Sequence, residues 1–385
     1  MIRHLGRATA AFAAIAIIAA ACGGTTGTPA TNAPGAAGTT AAPEGCGVPA
    51  KGACPSEAKT ITGAGATFPA PIYTKWIDEY NKLTGVQINF QAVGSGGGIK
   101  SFTDKTVDFG ASDVPLTDAQ IDAISGGFYM VPTVLGAVVP TYNIPNVTAA
   151  LKFTPEALAG IYLGTITSWN DPKIAGENPG VTLPASSITT VHRSDGSGTT
   201  GVFTDFLSKI SPEWKTKVGS ATSVNWPGGV GGNGNAGVAG AVKTTPGAIG
   251  YVELIYAIQN KIAYGTVKNA SGKYVEATLA STTKAADGVT MPDLGNLKGQ
   301  QAKISITNAS NPDAWPISTF TFLMVRKDIA DKTKALAVLR YFWYGIHDGQ
   351  AFSKDLGYAP LPAGVVASAE AALKAVTSGG APVLK

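Results

Sequence analysis

The chain has 385 residues, 44% of them hydrophobic and only 14% charged, against a charged share of roughly 25% in ordinary soluble domains. It is therefore long and apolar enough to bury real cores and is not disordered throughout. Lys and Arg number 29 and Asp and Glu 25, too small an excess for a nucleic-acid partner held by bulk positive charge, while three cysteines and three histidines exclude a disulfide-dense scaffold and argue against a zinc site, so neither metal nor cofactor is expected.

In chain order, residues 1–21 read as an export signal. Arg3, His4 and Arg7 precede fourteen apolar or small residues from Ala8 to Ala21, fewer than the roughly 20 that a membrane span needs. Ala19-Ala20-Ala21-Cys22 resembles the lipobox of bacterial lipoproteins, although Ala19 stands where that pattern prefers Leu. Lipidation of Cys22 would anchor the exported chain to the outer face of the cytoplasmic membrane. The alternative is an ordinary signal cleaved after small residues, with Cys22 a bystander. Residues 22–59 are rich in Thr, Ala, Gly and Pro and are expected to be a flexible tether. Cys46 and Cys54, with seven residues between them, would form a small disulfide loop in an exported protein.

From Thr60 onward, short apolar runs alternate with helical periodicity. Strands are expected at 60–62, 86–93 and 107–111, with helices at 73–83 and 98–104 between them. That β-α-β-α-β order predicts a parallel, doubly wound sheet. The apolar passage 131–139 would carry the chain into a second α/β region, with strands at 188–192 and 249–253 and helices at 201–209 and 236–242. A strand at 318–325 and an aromatic-rich helix at 332–347 would then return. The expected fold is two α/β lobes, each a mainly parallel sheet flanked by helices, with a hinge between them. Lobe 1 would be 60–138 and 314–385, and lobe 2 would be 139–313.

Three loops share one design, a strand followed by glycines and hydroxyl residues and then a helix: Gly63–Pro69, Gly94–Gly98 and Asp195–Thr200. A helix start leaves N–H groups unpaired and carries roughly half a positive charge, so anions bind there. Each such loop could equally be a plain N-cap, but three in one chain, one of them beside Arg193, point to an anion cradle. Arg193 offers a planar fork of donors suited to a tetrahedral oxyanion, with Asp195 placed to hold it. Asp113 ends a strand at the sheet edge where ligands bind in open α/β folds. A carboxylate facing an anion requires a ligand that still carries a proton, as hydrogen phosphate does and sulfate does not.

Thr62–Pro71, the Asp108-Phe109-Gly110-Ala111-Ser112-Asp113 run within Val107–Pro115, and Arg193–Thr199 together resemble the phosphate-binding lipoproteins that feed the high-affinity phosphate ABC importer. The resemblance covers about Thr60 to Leu361. Gly247–Glu253 and Asp313–Ile317 also match and look structural. The resemblance implies a periplasmic-binding-protein-like fold, inorganic phosphate as ligand, permease subunits as partners and no catalysis. It implies that Thr67, Phe68 (through its backbone) and Ser95 donate to phosphate and that Asp113 accepts its proton. It further implies that Arg193, oriented by Asp195, supplies the cation and that Ser197, Gly198 and Thr199 complete the shell. A monomer is expected, held to the membrane only by its lipid, with Thr67, Phe68, Ser95 and Asp113 on one lobe and Arg193, Ser197, Gly198 and Thr199 on the other, closing over one anion.

The alternatives are another oxyanion (sulfate, molybdate or a phosphonate) in the same architecture, or a serine hydrolase. The hydrolase lacks a G-x-S-x-G elbow at Ser95 or Ser197, and neither His192 nor His347 is an evident base. Gly232–Gly237 matches G-x-G-x-x-G, but Asn225-Trp226-Pro227-Gly228-Gly229 before it is no buried strand, so a Gly-rich helix entry near the cleft is expected there. The consecutive aromatics Tyr341, Phe342, Trp343 and Tyr344 cannot share one helix face, and some are expected to be half exposed.

Overall fold

In the computed structural model, residues 46–384 are described. The expected signal at 1–21, Cys22 and the tether as far as residue 45 lie outside the described residues. The first strand, β1 (Thr60–Gly65), runs into α1 (Ala70–Thr84), which carries Pro71 in its first turn, where no N–H is needed. Gly85 ends the helix at φ +77°, its N–H donating to Asn81 O at 2.7 Å. Ile72, Tyr73, Trp76 and Tyr80 form its buried stripe. Next come β2 (Gln87–Ala92), α2 (Gly94–Thr103) and β3 (Phe109–Ser112). The helix begins at Gly94, four residues before the expected start, because its glycines are contact surfaces. A Cβ on Gly98 would overlap Gly65 Cα and Ala64 O, so only glycine lets α2 lie directly on β1.

The sixteen-residue β4 (Phe128–Asn143) is almost wholly buried. In the second half of the molecule β5 (Thr189–Arg193) leads to α3 (Gly198–Ile210), and β6 (Val230–Gly232) leads to α4 (Gly234–Thr244) and β7 (Ala248–Glu253). The chain ends with β8 (Ser318–Arg326), α5 (Lys332–Ile346) and α6 (Ala363–Lys374).

The strand order is β2-β1-β3-β8-β4-β7-β5-β6, and Ala263–Tyr264 adds a ninth strand on β4. β1 pairs in parallel with β2 and β3, and β5 in parallel with β6 and β7. The two-lobe α/β architecture expected from the sequence is present, with mainly parallel outer strands in each half. The halves are fused by β4, which pairs antiparallel with β8 from Phe128 to Ala137 and then antiparallel with β7 from Val138 to Asn143. One strand therefore changes lobes between adjacent residues. β8 lies between β3 and β4, so a late segment completes the first lobe's sheet.

Residues 46–59, expected as the end of a flexible tether, are packed instead. Ala50, Cys54 and Glu57 are buried. Glu57 forms an ion pair with Arg340 Nη1 at 2.5 Å, both side chains fully covered, and Arg340 also donates to the carbonyls of Gly47 (3.3 Å) and Gly52 (2.9 Å). Composition carries no mark of this packing, because the partner is a single arginine on α5, almost 300 residues away. Cys46 and Cys54 are joined as a disulfide. Tyr341, Phe342, Trp343 and Tyr344 are all buried, since α5 has the sheet and α1 on one side and α6 on another. Among the described residues no helix is long and apolar enough to cross a membrane.

Candidate functional site

The three Gly-rich loops meet. In the first, between β1 and α1, Ala66 N–H donates to Ala111 O at 3.2 Å, which sets Thr67 and Phe68 against the end of β3. In the second, Ser95 occupies the first turn of α2 and is fully buried. The third is the start of α3: Ser197 is its N-cap, accepting the Thr200 N–H at 3.0 Å, so Gly198 and Thr199 are the first helical residues and their N–H groups have no intrahelical partner. The loops of the two lobes touch backbone to backbone, with Gly96 N–H donating to Gly196 O at 2.9 Å. A Cβ on Gly198 would overlap Asp113 Oδ2 and Ser95 Oγ. The glycine is thus what allows the α3 N-terminus to reach the first lobe's carboxylate.

Asp113 is 1% exposed. Its Oδ1 accepts from Thr321 Oγ1 at 2.8 Å, its Oδ2 accepts a long bond from Ser95 Oγ at 3.4 Å, and its own N–H donates to Ser95 Oγ at 3.3 Å. Burial pushes this carboxyl up to about 7, against the opposing pull of the Thr321 hydrogen bond, the Arg193 charge and Ser95. Arg193 lies across from it, its side chain 1% exposed. Asp195 holds the guanidinium by a fork, Nε to Oδ1 at 2.7 Å and Nη2 to Oδ2 at 2.5 Å, and Nη1 donates to Thr199 Oγ1 at 3.3 Å. Burial raises the Asp195 carboxyl, but hydrogen bonds from Arg193, its charge and the Gly234 N–H outweigh that and hold it below the usual range. The result is one cation already paired with a carboxylate, one carboxyl poised between protonation states, and a ring of hydroxyl and N–H donors. That set can wrap a small oxyanion that brings one proton.

Beside the cradle lies a cleft of about 720 Å³, bounded by Val114, Leu116, Val202, Ile304, Ile306 and Phe322 among others; of the expected anion contacts only Asp113 borders it. Its lining mixes these apolar side chains with polar ones such as Thr117, Asp118, Asp205 and Thr307. Among the described residues no cluster of three or more His, Cys, Asp or Glu is placed to hold a metal ion.

The sequence matches the PBP superfamily domain over residues 30–343. It is 45% identical over 312 residues to the phosphate-binding protein PstS of Xylella fastidiosa strain 9a5c, covering 81% of this chain and 84% of that protein. It is 42% identical over 323 residues to the phosphate-binding protein PstS of Pasteurella multocida, covering 83% and 91%. The chain belongs to the PstS family. The fold agrees with the crystal structure of a phosphate-binding protein from Stenotrophomonas maltophilia, at a TM-score of 0.65 and 17% identity, over 85% of this chain and 99% of that one.

Several residues around this PstS-type site were not singled out in the sequence. Thr321, at the β8 irregularity where the register with β4 shifts, anchors Asp113, and nothing local to it announces that role. Asn235, at the start of α4 and fully buried, donates from Nδ2 to Thr67 Oγ1 at 2.9 Å and to Thr199 Oγ1 at 3.0 Å. The signal for it was the Gly232–Gly237 string, which is indeed a helix entry at the cleft. Glu253, in a stretch that looked structural, gives its N–H to Asn235 Oδ1 at 3.0 Å. The Tyr256 hydroxyl donates to Thr67 O at 2.5 Å and the Tyr358 hydroxyl to Phe68 O at 2.7 Å. His192 and His347 are occupied elsewhere. The His192 ring stacks on Trp226, and His347, which had no evident partner in sequence, pairs with Glu370 at 3.0 Å.

Proposed function

We propose that the protein binds one inorganic phosphate between its lobes outside the cytoplasmic membrane and hands it to the permease of an ABC importer. Thr67, Phe68 (through its N–H), Ser95 and Asp113 act from the first lobe (60–138 with 314–385). Arg193, Ser197, Gly198 and Thr199 act from the second (139–313), and Asp195 steadies the arginine. The observation that carries this reading is Asp113: a buried carboxyl, faced by one arginine and a set of neutral donors. It accepts the P–OH hydrogen while the donors take the remaining oxygens. Sulfate has no hydrogen to offer, and two facing acceptors cost about 1–3 kcal/mol or more, a loss of roughly 5- to 150-fold in affinity. No observation favours sulfate, molybdate, a phosphonate or hydrolysis.

Neither lobe saturates the anion alone, so the ligand stabilises the closed form, and the closed face is what the permease recognises. The names of the PstS relatives support phosphate as the ligand, and the disulfide supports an oxidising, extracytoplasmic compartment. Anchoring through lipidated Cys22 and action as a monomer complete the proposal. Native mass spectrometry of the full chain as purified, followed by titration calorimetry of phosphate-free protein, tests it. A retained adduct of phosphate mass and tight 1:1 binding are expected; absence of phosphate binding contradicts it.

A further inference from the structure

Asn235 has a fixed orientation. Its Oδ1 accepts the Glu253 N–H at 3.0 Å, and since that group can only donate, the NH2 end must face the two threonines. Thr67 Oγ1 receives Asn235 Nδ2 at 2.9 Å and the Asn235 backbone N–H at 3.3 Å. Thr199 Oγ1 receives Asn235 Nδ2 at 3.0 Å and Arg193 Nη1 at 3.3 Å. A hydroxyl accepts two hydrogen bonds and donates one. Both lone-pair sites of each hydroxyl are thus taken by donor-only groups, and each hydroxyl has only its proton left to give. One of these hydroxyls comes from the loop after β1 and the other from α3, so a single amide reads both lobes.

We propose that Asn235 is the specificity-determining positioning residue of the site: it turns Thr67 and Thr199 into obligate donors, so that the ligand must present bare acceptor oxygens to both. This rests on the reading that those two hydroxyls face phosphate. A hydroxyl free to rotate could accept from a ligand O–H or N–H as readily as donate; these two cannot. The division of labour follows. The ligand's one proton has a single place to go, Asp113, and every other corner meets a hydrogen. The amide's anchor, Glu253, pairs with Val138, the first β4 residue beyond the change of partner, so the gate that orients the hydroxyls is tied to the strand that joins the lobes.

The test is a double-mutant cycle on the full chain, with phosphate affinity measured by equilibrium dialysis of radiolabelled phosphate and folding followed by circular dichroism. Asn235→Ala is expected to weaken phosphate at least about tenfold, because two hydroxyls lose their orientation. In a Thr67→Val background, where one of those hydroxyls is gone, the same substitution is expected to cost a clearly smaller factor, since coupled residues are not additive. A purely structural role through the Glu253 N–H would give equal factors in both backgrounds and would overturn the inference, as would an unchanged affinity in Asn235→Ala. If Asn235→Ala does not fold, Asn235→Asp keeps the acceptor for Glu253 and carries the same cycle. Loss of phosphate binding in the unaltered protein would instead overturn the proposed function.

Discussion

Asp113 and Arg193 set opposite demands on the same few cubic ångströms, and their substitutions should separate. Arg193→Ala removes the guanidinium and leaves the partly buried Asp195 carboxylate, still bonded by the Gly234 N–H, as uncompensated negative charge beside the anion, so phosphate binding should weaken by about 2–5 kcal/mol in calorimetry. A change under about tenfold would place the arginine outside the site. Asp113 also writes itself into the pH dependence of the ligand-free protein. Its folded pKa, about 7, is above the unfolded value near 3.9, so the folded state holds the extra proton. Its stabilising contribution is full below about pH 4 and is lost as pH rises through about 7, a decline on the order of 4 kcal/mol. Glu253, fully buried and likewise raised by burial, acts in the same direction. Chemical denaturation of phosphate-free protein at pH 4.5 and pH 8 should show this decline, and Asp113→Asn should make it shallower.

Secondary elements carry the site through their first turns, and here the sequence was legible where chemistry is local. The Asp195-Gly196-Ser197-Gly198-Thr199 string announces a helix start, and Ser197 is its N-cap. Ser197→Ala should lower stability by about 1 kcal/mol in thermal unfolding and also weaken phosphate, since the same hydroxyl has a proton free for the anion. Gly198→Ala should weaken binding strongly with the fold retained, because its Cβ would push Asp113 and Ser95 apart from α3. The start of α2 was less legible. A run of glycines argues against helix by propensity, yet Gly98 packs on Gly65 so closely that tertiary contact overrides it. Thr321 was not legible at all, because its partner lies 208 residues away and a β-strand threonine carries no mark of which carboxylate it will meet.

At the scale of the whole molecule, β4 makes the two lobes one sheet, and a second connection crosses between them. Lys298 pairs with Asp122 at 2.6 Å and Gln301 donates to Leu116 O at 3.2 Å on the first-lobe side, whereas Ser305 donates to Asp205 at 2.7 Å on the second. Opening the cleft must strain or break one end of this strap. Asp205→Ala should therefore speed phosphate release by roughly fivefold in stopped-flow measurements, as the loss of about 1 kcal/mol implies; an unchanged rate would mean the strap moves with one lobe. The packed segment 46–59 escaped a composition-based reading because Glu57 and the Gly47 and Gly52 carbonyls satisfy an arginine supplied by α5. Replacing Cys46 and Cys54 with Ser should cost about 2–3 kcal/mol in the chain-entropy account of so small a loop, with phosphate affinity unchanged.

The claim beneath all of this is that one hydrogen, offered by the ligand and taken by Asp113, separates phosphate from sulfate. Calorimetry of both anions at pH 8 against the unaltered protein and Asp113→Asn tests it directly. The unaltered protein should bind phosphate tightly and sulfate far more weakly, and the asparagine, able to donate, should bring the two affinities together. Sulfate bound as tightly as phosphate by the unaltered protein, or an undiminished preference for phosphate in Asp113→Asn, would contradict it.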